Sequence, residues 1–266
     1  MKYEVSQDAR PQAMTLLFAA GLSIALWFIP FAEILSYPFR IFVTFIHEGG
    51  HAVAALLTGN SVQSLSVAMN ASGETYTTQG GMFSRILVSS AGYLGAMTFG
   101  ALLLVLIRKA VAARIVLAGS ALLILLLTTI FGLIKPLVAG SWGSLSGVPF
   151  TFFAGIVLAV GLFAVARFAS ARVATFVLSL LAVQCVLNAL LDLKTVLFLS
   201  SPFAPAVPTD AQNMALATGI PALVWTLLWI ALAFGILMLA LRLYVAARDR
   251  AFDAKKDFHF EQNVEA

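Results

Sequence analysis

Long apolar runs recur along the whole chain, and each is long enough to cross the hydrocarbon core of a bilayer, which takes about 20 helical residues. The sequence predicts seven spans, at residues 14–32, 40–58, 84–107, 114–134, 148–166, 173–199 and 220–246. Because the inside of a bilayer offers no water to bond backbone polar groups, each run is expected to be helical. The sequence therefore predicts an all-α polytopic membrane protein.

The composition agrees with this class of protein. Hydrophobic residues make up 61% of the 266 residues and charged residues only 11%, against about 25% charged residues in ordinary soluble domains. These values exclude a soluble globular enzyme and a disordered chain. The net charge of +4 does not indicate nucleic-acid binding, because most basic residues lie in short loops and in the C-terminal tail. The single cysteine, Cys185, excludes an intrachain disulfide and a multi-cysteine metal site.

The charge pattern predicts one membrane domain, residues 1–248, followed by a charged tail, residues 249–266. Arginine and lysine are concentrated in the loops at 108–114 and 167–172 and in this tail. Basic loops favour the cytoplasmic side of a membrane. We therefore expect these three regions to be cytoplasmic, which with seven spans places the N-terminus outside.

The segment between the second and third spans has the pattern of strands rather than of a helix. From Ser61, apolar residues alternate with small polar residues, residues 70–73 have turn chemistry, and residues 74–78 offer a second strand. We expect a short β-hairpin at or in the membrane interface. Its exposed edge could pair with an extended peptide, which makes Val67 a candidate substrate contact. A simple surface hairpin is the alternative.

The second span contains the sequence His47-Glu48-Gly49-Gly50-His51. Histidines four residues apart lie on one helix face, so both can reach one ion. Glu48 is rotated from them by about 100°, so we expect it to act on a metal-bound water as general base rather than to bind the metal. Zinc would lower the pKa of that water toward about 7 and polarise a substrate carbonyl.

The alternative is a polar cluster that merely stabilises a helix bundle. Ionisable side chains at the centre of a span cost on the order of 3 kcal/mol each, so three of them within five residues, His47, Glu48 and His51, favour the metal site. Gly49 and Gly50 would either leave space for a substrate backbone or allow a close helix contact.

A catalytic zinc site needs three protein ligands and one open position. Gln184, Asn188 and Asp192 are spaced by four and form a polar stripe on the sixth span. The second and sixth spans run in the same direction, and Asp192 lies at a depth similar to that of His51. Asp192 is therefore the predicted third ligand.

Other roles for the two candidate acids are open. Asp192 could instead form an ion pair with Lys194 or Lys135. Asp210 is the fallback ligand, although we favour it as the N-cap of a short helix at 211–218.

Small residues recur every four positions on the third span, at Gly92, Ala96 and Gly100. This spacing lets helices approach closely. We interpret the three as packing against the helix of the histidines, and direct contact of Gly92 with substrate is the less favoured alternative.

Taken together, these motifs give the chain a resemblance to a known family. Its histidine motif, the hairpin and the segment at 90–96 resemble the site-2-protease-like intramembrane zinc metallopeptidases, especially their short multi-span bacterial branch without a PDZ domain. Further similar segments are residues 188–192, 209–211, 218–221 and Trp225. The resemblance implies a zinc ion held by two histidines and a distant aspartate, a glutamate base, and a role for Asn188 in substrate binding. It also implies a bacterial cytoplasmic membrane and substrates cut within or near that membrane.

The sequence therefore predicts an intramembrane zinc endopeptidase whose partners are the lipid bilayer and a membrane protein or peptide substrate. Nucleic acid is not expected, and the sequence does not define the oligomeric state. A proteolytically inactive scaffold or chaperone and a transporter are the alternatives. The intact motif favours the enzyme, because a scaffold has no need of Glu48. A transporter should show internal repeats, and the sequence has no convincing repeat.

Overall fold

The computed structural model describes residues 10–26, 28–29, 33–78, 80–108, 112–139, 147–201, 203 and 207–246. The predicted tail at 249–266 lies outside the described residues. The helices are α1 Arg10–Ala25, α2 Glu33–Leu57, α3 Met82–Arg108, α4 Ala113–Leu126, α5 Lys135–Ala139, α6 Val148–Phe168, α7 Ala171–Leu199, α8 Asp210–Thr218 and α9 Ala222–Ala246. A π-helical stretch, Leu127–Ile134, joins α4 to α5.

Each predicted span overlaps a helix, but within the described residues five helical segments are long and apolar enough to cross a membrane. They are Met82–Ile107, Ala113–Val138, Val148–Phe168, Ala171–Leu199 and Ala222–Tyr244. The short apolar part of α1 has fewer residues than a span needs. Helix α2 has 25 residues, but the charged and polar side chains around its histidine motif make it less apolar. The helical membrane class is confirmed, and the count of seven spans is not.

Helix α3 lies at the centre of the bundle and packs against α2, α7 and α9. Where it crosses α2, a Cβ on Gly50 would overlap the carbonyl oxygen of Ala91, so this close approach requires glycine. Gly100 faces α7 instead, where a Cβ would lie 2.9 Å from the Cβ of Cys185. The small residues of α3 therefore serve two different helix contacts, and the expectation that Gly100 packs against α2 is wrong.

The predicted hairpin is confirmed as an antiparallel pair, β1 Val62–Val67 and β2 Gly73–Thr77. Leu65 pairs with Thr75, and a bulge follows Val62. In the connecting turn Ala71 has a φ of 65°, which is the left-handed conformation that such turns use. The apolar side chains of β1 are buried, whereas β2 is largely exposed. The two strands therefore have different surroundings.

The outer edge of β1 is closed by neighbouring helices. The Val67 N–H donates to Thr151 Oγ1 at 2.8 Å, and that hydroxyl donates to the Val67 carbonyl at 3.1 Å. The side chain of Val67 is 0% exposed. Val67 therefore cannot pair with a peptide strand, and this prediction is corrected. The open edge of the hairpin belongs to β2.

Candidate metal centre

Two helices that are distant in the sequence bring one acid to the predicted histidine pair. His47 and His51 lie one turn apart on α2, with ring centroids separated by 4.8 Å. Asp210 is the first residue of α8, and its Oδ2 lies 3.4 Å from His47 Nε2 and 3.3 Å from His51 Nε2. The possible ligand atoms of these three residues all lie within 4.8 Å of one another. Within the described part of the chain, they form the cluster that can hold a metal ion.

The structure does not place Asp192 in this cluster. Its side chain is exposed on α7 toward the same cavity, where it interacts electrostatically with His47 and Arg40. The depth of Asp192 along its span was predicted from the sequence, but depth alone leaves the distance across the bundle undetermined. The structure therefore groups the histidines with the fallback residue, Asp210, and not with the predicted third ligand, Asp192.

The predicted short helix after Asp210 is present, but Asp210 is not its N-cap. The N-cap is Thr209, whose hydroxyl accepts a hydrogen bond from the Gln212 N–H at 3.2 Å. Because Thr209 caps the helix, the carboxylate of Asp210 is free to face the histidines. Burial raises the pKa of Asp210, but attraction by His51 and His47 and hydrogen bonds from both outweigh this and lower it below its usual range. Asp210 is therefore an anionic candidate ligand.

Helix α3 orients both histidine rings. His51 Nδ1 lies 2.6 Å from the Val88 carbonyl oxygen, and since a carbonyl only accepts, this nitrogen carries the proton and Nε2 is left for a metal. Tyr93 packs against His47 with ring centroids 4.6 Å apart and against Trp229 at 5.6 Å. Trp229 is in turn held by a 3.0 Å hydrogen bond to Ser90 Oγ.

Gly92 keeps the space in front of the histidines free of protein atoms. A Cβ at this position would overlap Nε2 of both His47 and His51. The predicted close approach of Gly92 to the histidine helix is thus confirmed, and a glycine is required next to the Nε2 atoms of both histidines. Two imidazoles and a carboxylate around an open space suit zinc, which favours nitrogen and oxygen ligands in catalytic sites. The residues present therefore fit a metal ion.

Glu48 stands beside this cluster without being part of it. Its side chain is 4% exposed, and its Oε2 accepts a hydrogen bond from Thr75 Oγ1 at 2.7 Å. The position of Glu48 outside the cluster agrees with the rotation of about 100° between neighbouring residues of a helix, which turns Glu48 away from His47. Nothing in the sequence pattern pointed to Thr75 as a neighbour of Glu48.

The cluster and Glu48 open into a cavity of about 910 Å³. All of β2, the C-terminal turns of α7 and the start of α8 line it. Asn188 is not among the lining residues. Its amide donates to Gln184, at 2.8 Å to the carbonyl and 2.9 Å to Oε1, and Gln184 donates to Ser23 Oγ on α1 at 3.2 Å. Gln184 therefore joins α7 to α1, Asn188 supports Gln184, and the predicted role of Asn188 in substrate binding is not supported.

Comparison with known protein families agrees with the fold and the site. The chain belongs to the Peptidase M50B-like family, which it matches over residues 17–240. Comparisons with curated proteins and with solved structures gave no match. Membership confirms the resemblance to site-2-protease-like peptidases. Together with the five helices of the described residues that are long and apolar enough to cross a membrane, it makes the chain an integral membrane protein of a peptidase family.

Proposed function

We propose that the protein is an intramembrane zinc metalloendopeptidase of a bacterial cytoplasmic membrane. The observation that carries this proposal is the group of His47, His51 and Asp210 with a non-ligating carboxylate, Glu48, beside it. A metal that only stabilised the fold would need no such carboxylate. Substrates are membrane proteins or membrane-associated peptides.

In this proposal His47, His51 and Asp210 hold the zinc ion. Bound zinc supplies a water of lowered pKa and a Lewis acid for the scissile carbonyl. Glu48 accepts the proton of the attacking water and returns it to the leaving nitrogen. The hydrogen bond between His51 Nδ1 and the Val88 carbonyl would hold the ring so that Nε2 is available to bind the ion.

The open edge of β2 is the proposed binding surface for substrate. A helical peptide hides its carbonyls in its own hydrogen bonds, so the segment to be cut must first unwind. An extended segment can then bond to the backbone of an exposed strand edge. Every residue of β2 lines the cavity that contains Glu48 and the histidines, so a segment paired with β2 would lie beside the catalytic groups.

The decisive variant is Glu48→Gln, which removes the base and keeps the shape of the side chain. The purified wild type should contain about one zinc ion per chain, and Glu48→Gln should keep its zinc while losing cleavage. A comparison of membrane proteomes of cells with either form should show at least one protein that stays intact only in the variant. Asp192→Asn is the matched control, because Asp192 also lines the cavity but lies on α7, away from the proposed substrate-binding strand.

Cleavage by Glu48→Gln at the wild-type rate would refute the peptidase mechanism. If neither form cleaved any membrane protein while both bound zinc, the inactive scaffold would be the better description.

A further inference from the structure

The hairpin holds the carboxylate of Glu48 from two positions on β2. Thr75 Oγ1 donates to Glu48 Oε2 at 2.7 Å and also lies 3.2 Å from the Glu48 carbonyl oxygen. At Gly73, two residues earlier, a Cβ would lie 2.5 Å from Glu48 Oε1 and 2.6 Å from its Cγ. On one side of β2, Gly73 therefore packs against the side chain of the proposed base and Thr75 donates a hydrogen bond to it. A side chain at position 73 would overlap Glu48.

This contact is the last of three along one face of α2. Tyr37 donates to the Met69 carbonyl at 2.7 Å, and Thr44 donates to the Ala71 carbonyl at 2.8 Å. Residues 37, 44 and 48 are spaced by seven and four, so they share one face of the helix. The first two anchor the turn of the hairpin, and Glu48 reaches β2 itself. The hairpin is therefore docked on α2 along a line that ends at the proposed base.

A carboxylate at the end of a glutamate side chain rotates over a broad range, because its terminal torsion has no sharp minima. A hydrogen bond to one oxygen narrows that range. Orientation matters for a proton acceptor, since a misplacement of about 1 Å can lower a rate by about 100-fold.

We infer that Thr75 is a positioning residue for Glu48, and that through it the strand proposed to capture substrate sets the orientation of the base. This inference rests on the proposed function and adds a residue to it. Thr75 acts through Glu48 and needs no contact with the substrate. The required property is its hydroxyl donor, so serine should replace it and valine, which has the same shape, should not.

The test compares Thr75→Val, Thr75→Ser and the control Thr175→Val, which removes a hydroxyl that donates to the Ala171 carbonyl on α7, outside the cavity. The substrate is the membrane protein that stays intact with Glu48→Gln, purified in detergent. We expect Thr75→Val to lower kcat by about 10- to 100-fold, with KM and zinc content unchanged. Thr75→Ser and Thr175→Val should stay near the wild-type kcat. In a Glu48→Gln background, Thr75→Val should cause no further loss, because the group it positions is already inactive.

Three results would overturn the inference. They are a wild-type kcat for Thr75→Val, equal losses for the valine and serine variants, and a change confined to KM or zinc content. The last two would show that Thr75 only supports the fold or the binding surface.

Hydrogen exchange of the backbone amides distinguishes failure of the inference about Thr75 from failure of the proposed peptidase function. The amides of β2 should exchange faster in Thr75→Val than in Thr175→Val, whether or not any substrate is cut. If the wild-type protein cleaved no substrate and the β2 amides still exchanged faster in Thr75→Val, the peptidase function would be refuted. The contact between Thr75 and Glu48 would nevertheless be supported. Equal exchange in the two variants would refute the contact, and with it the inference.

Discussion

Two polar segments, one on α7 and one on α8, each offer an acidic side chain as a third metal ligand beside the two histidines. They differ in the partners of their polar side chains. On α7 two of the three polar residues of the stripe form hydrogen bonds within the helix bundle, since Asn188 donates to Gln184 and Gln184 donates to Ser23 of α1. On α8 the carboxylate of Asp210 faces both histidines. Gln184 and Asn188 thus serve the association of α7 with α1, whereas a short helix outside the candidate spans brings the acid to the site.

The position of α8 depends on contacts at both of its ends. Its buried residues Ala211 and Met214 belong to the core, and the helix packs against α3 and α9. At its C-terminal end Trp225 Nε1 donates to Thr218 Oγ1 at 3.0 Å. Gly219 then ends the helix with a φ of 73°, a conformation that glycine adopts without strain. The acid is therefore held in place by packing against two other helices.

The largest expected effect separates the two acids directly. Asp210→Ala should lower zinc affinity by more than about 100-fold, because loss of a ligand exceeds the 10- to 100-fold cost of losing a residue that only supports a ligand. Asp192→Ala should leave zinc affinity near the wild-type value. Competition with a chromophoric chelator measures both. A larger loss for Asp192→Ala would return the third ligand to α7.

The second effect concerns the space between α3 and the two histidines of α2. Gly92→Ala should weaken zinc binding, since the new methyl group overlaps both Nε2 atoms, and overpacking costs about 1–3 kcal/mol. Gly95→Ala is the control, because a Cβ there would lie an ordinary 3.5 Å from the Gly50 Cα. Zinc content after dialysis against a weak chelator should fall only for Gly92→Ala. An unchanged content would mean that the ion lies away from this space.

The smallest effect concerns the hydrogen bonds that hold α8 and the polar residues of α7 in place. Trp225→Phe removes the hydrogen bond to Thr218, which is worth about 1 kcal/mol, and should loosen α8 enough to weaken zinc binding by less than about tenfold. Asn188→Leu should change the thermal stability of the protein but leave its zinc affinity unaltered. Parallel melting and zinc titrations of the two variants provide the comparison. A zinc defect confined to Asn188→Leu would reverse the roles assigned to α7 and α8.

Those features that depend on near neighbours in the chain were predicted correctly. Apolar length placed a helix at each predicted span, since hydropathy and helix length are local properties. The spacing of His47 and His51 placed them on one face because the helical period is local too. Alternation and turn residues located the hairpin for the same reason.

Features that depend on docking were not predictable in this way. The sequence contains the acids Asp192 and Asp210, the strand residues Val67 and Thr75, and the small residues of α3, but their partners lie on other elements. The packing of α8 against α3 and α9 selected Asp210, and α6 closed the edge of β1 at Val67. These outcomes arise from the distances between helices across the bundle. Local patterns carry no information about such distances, because they are set by the packing of many side chains at once.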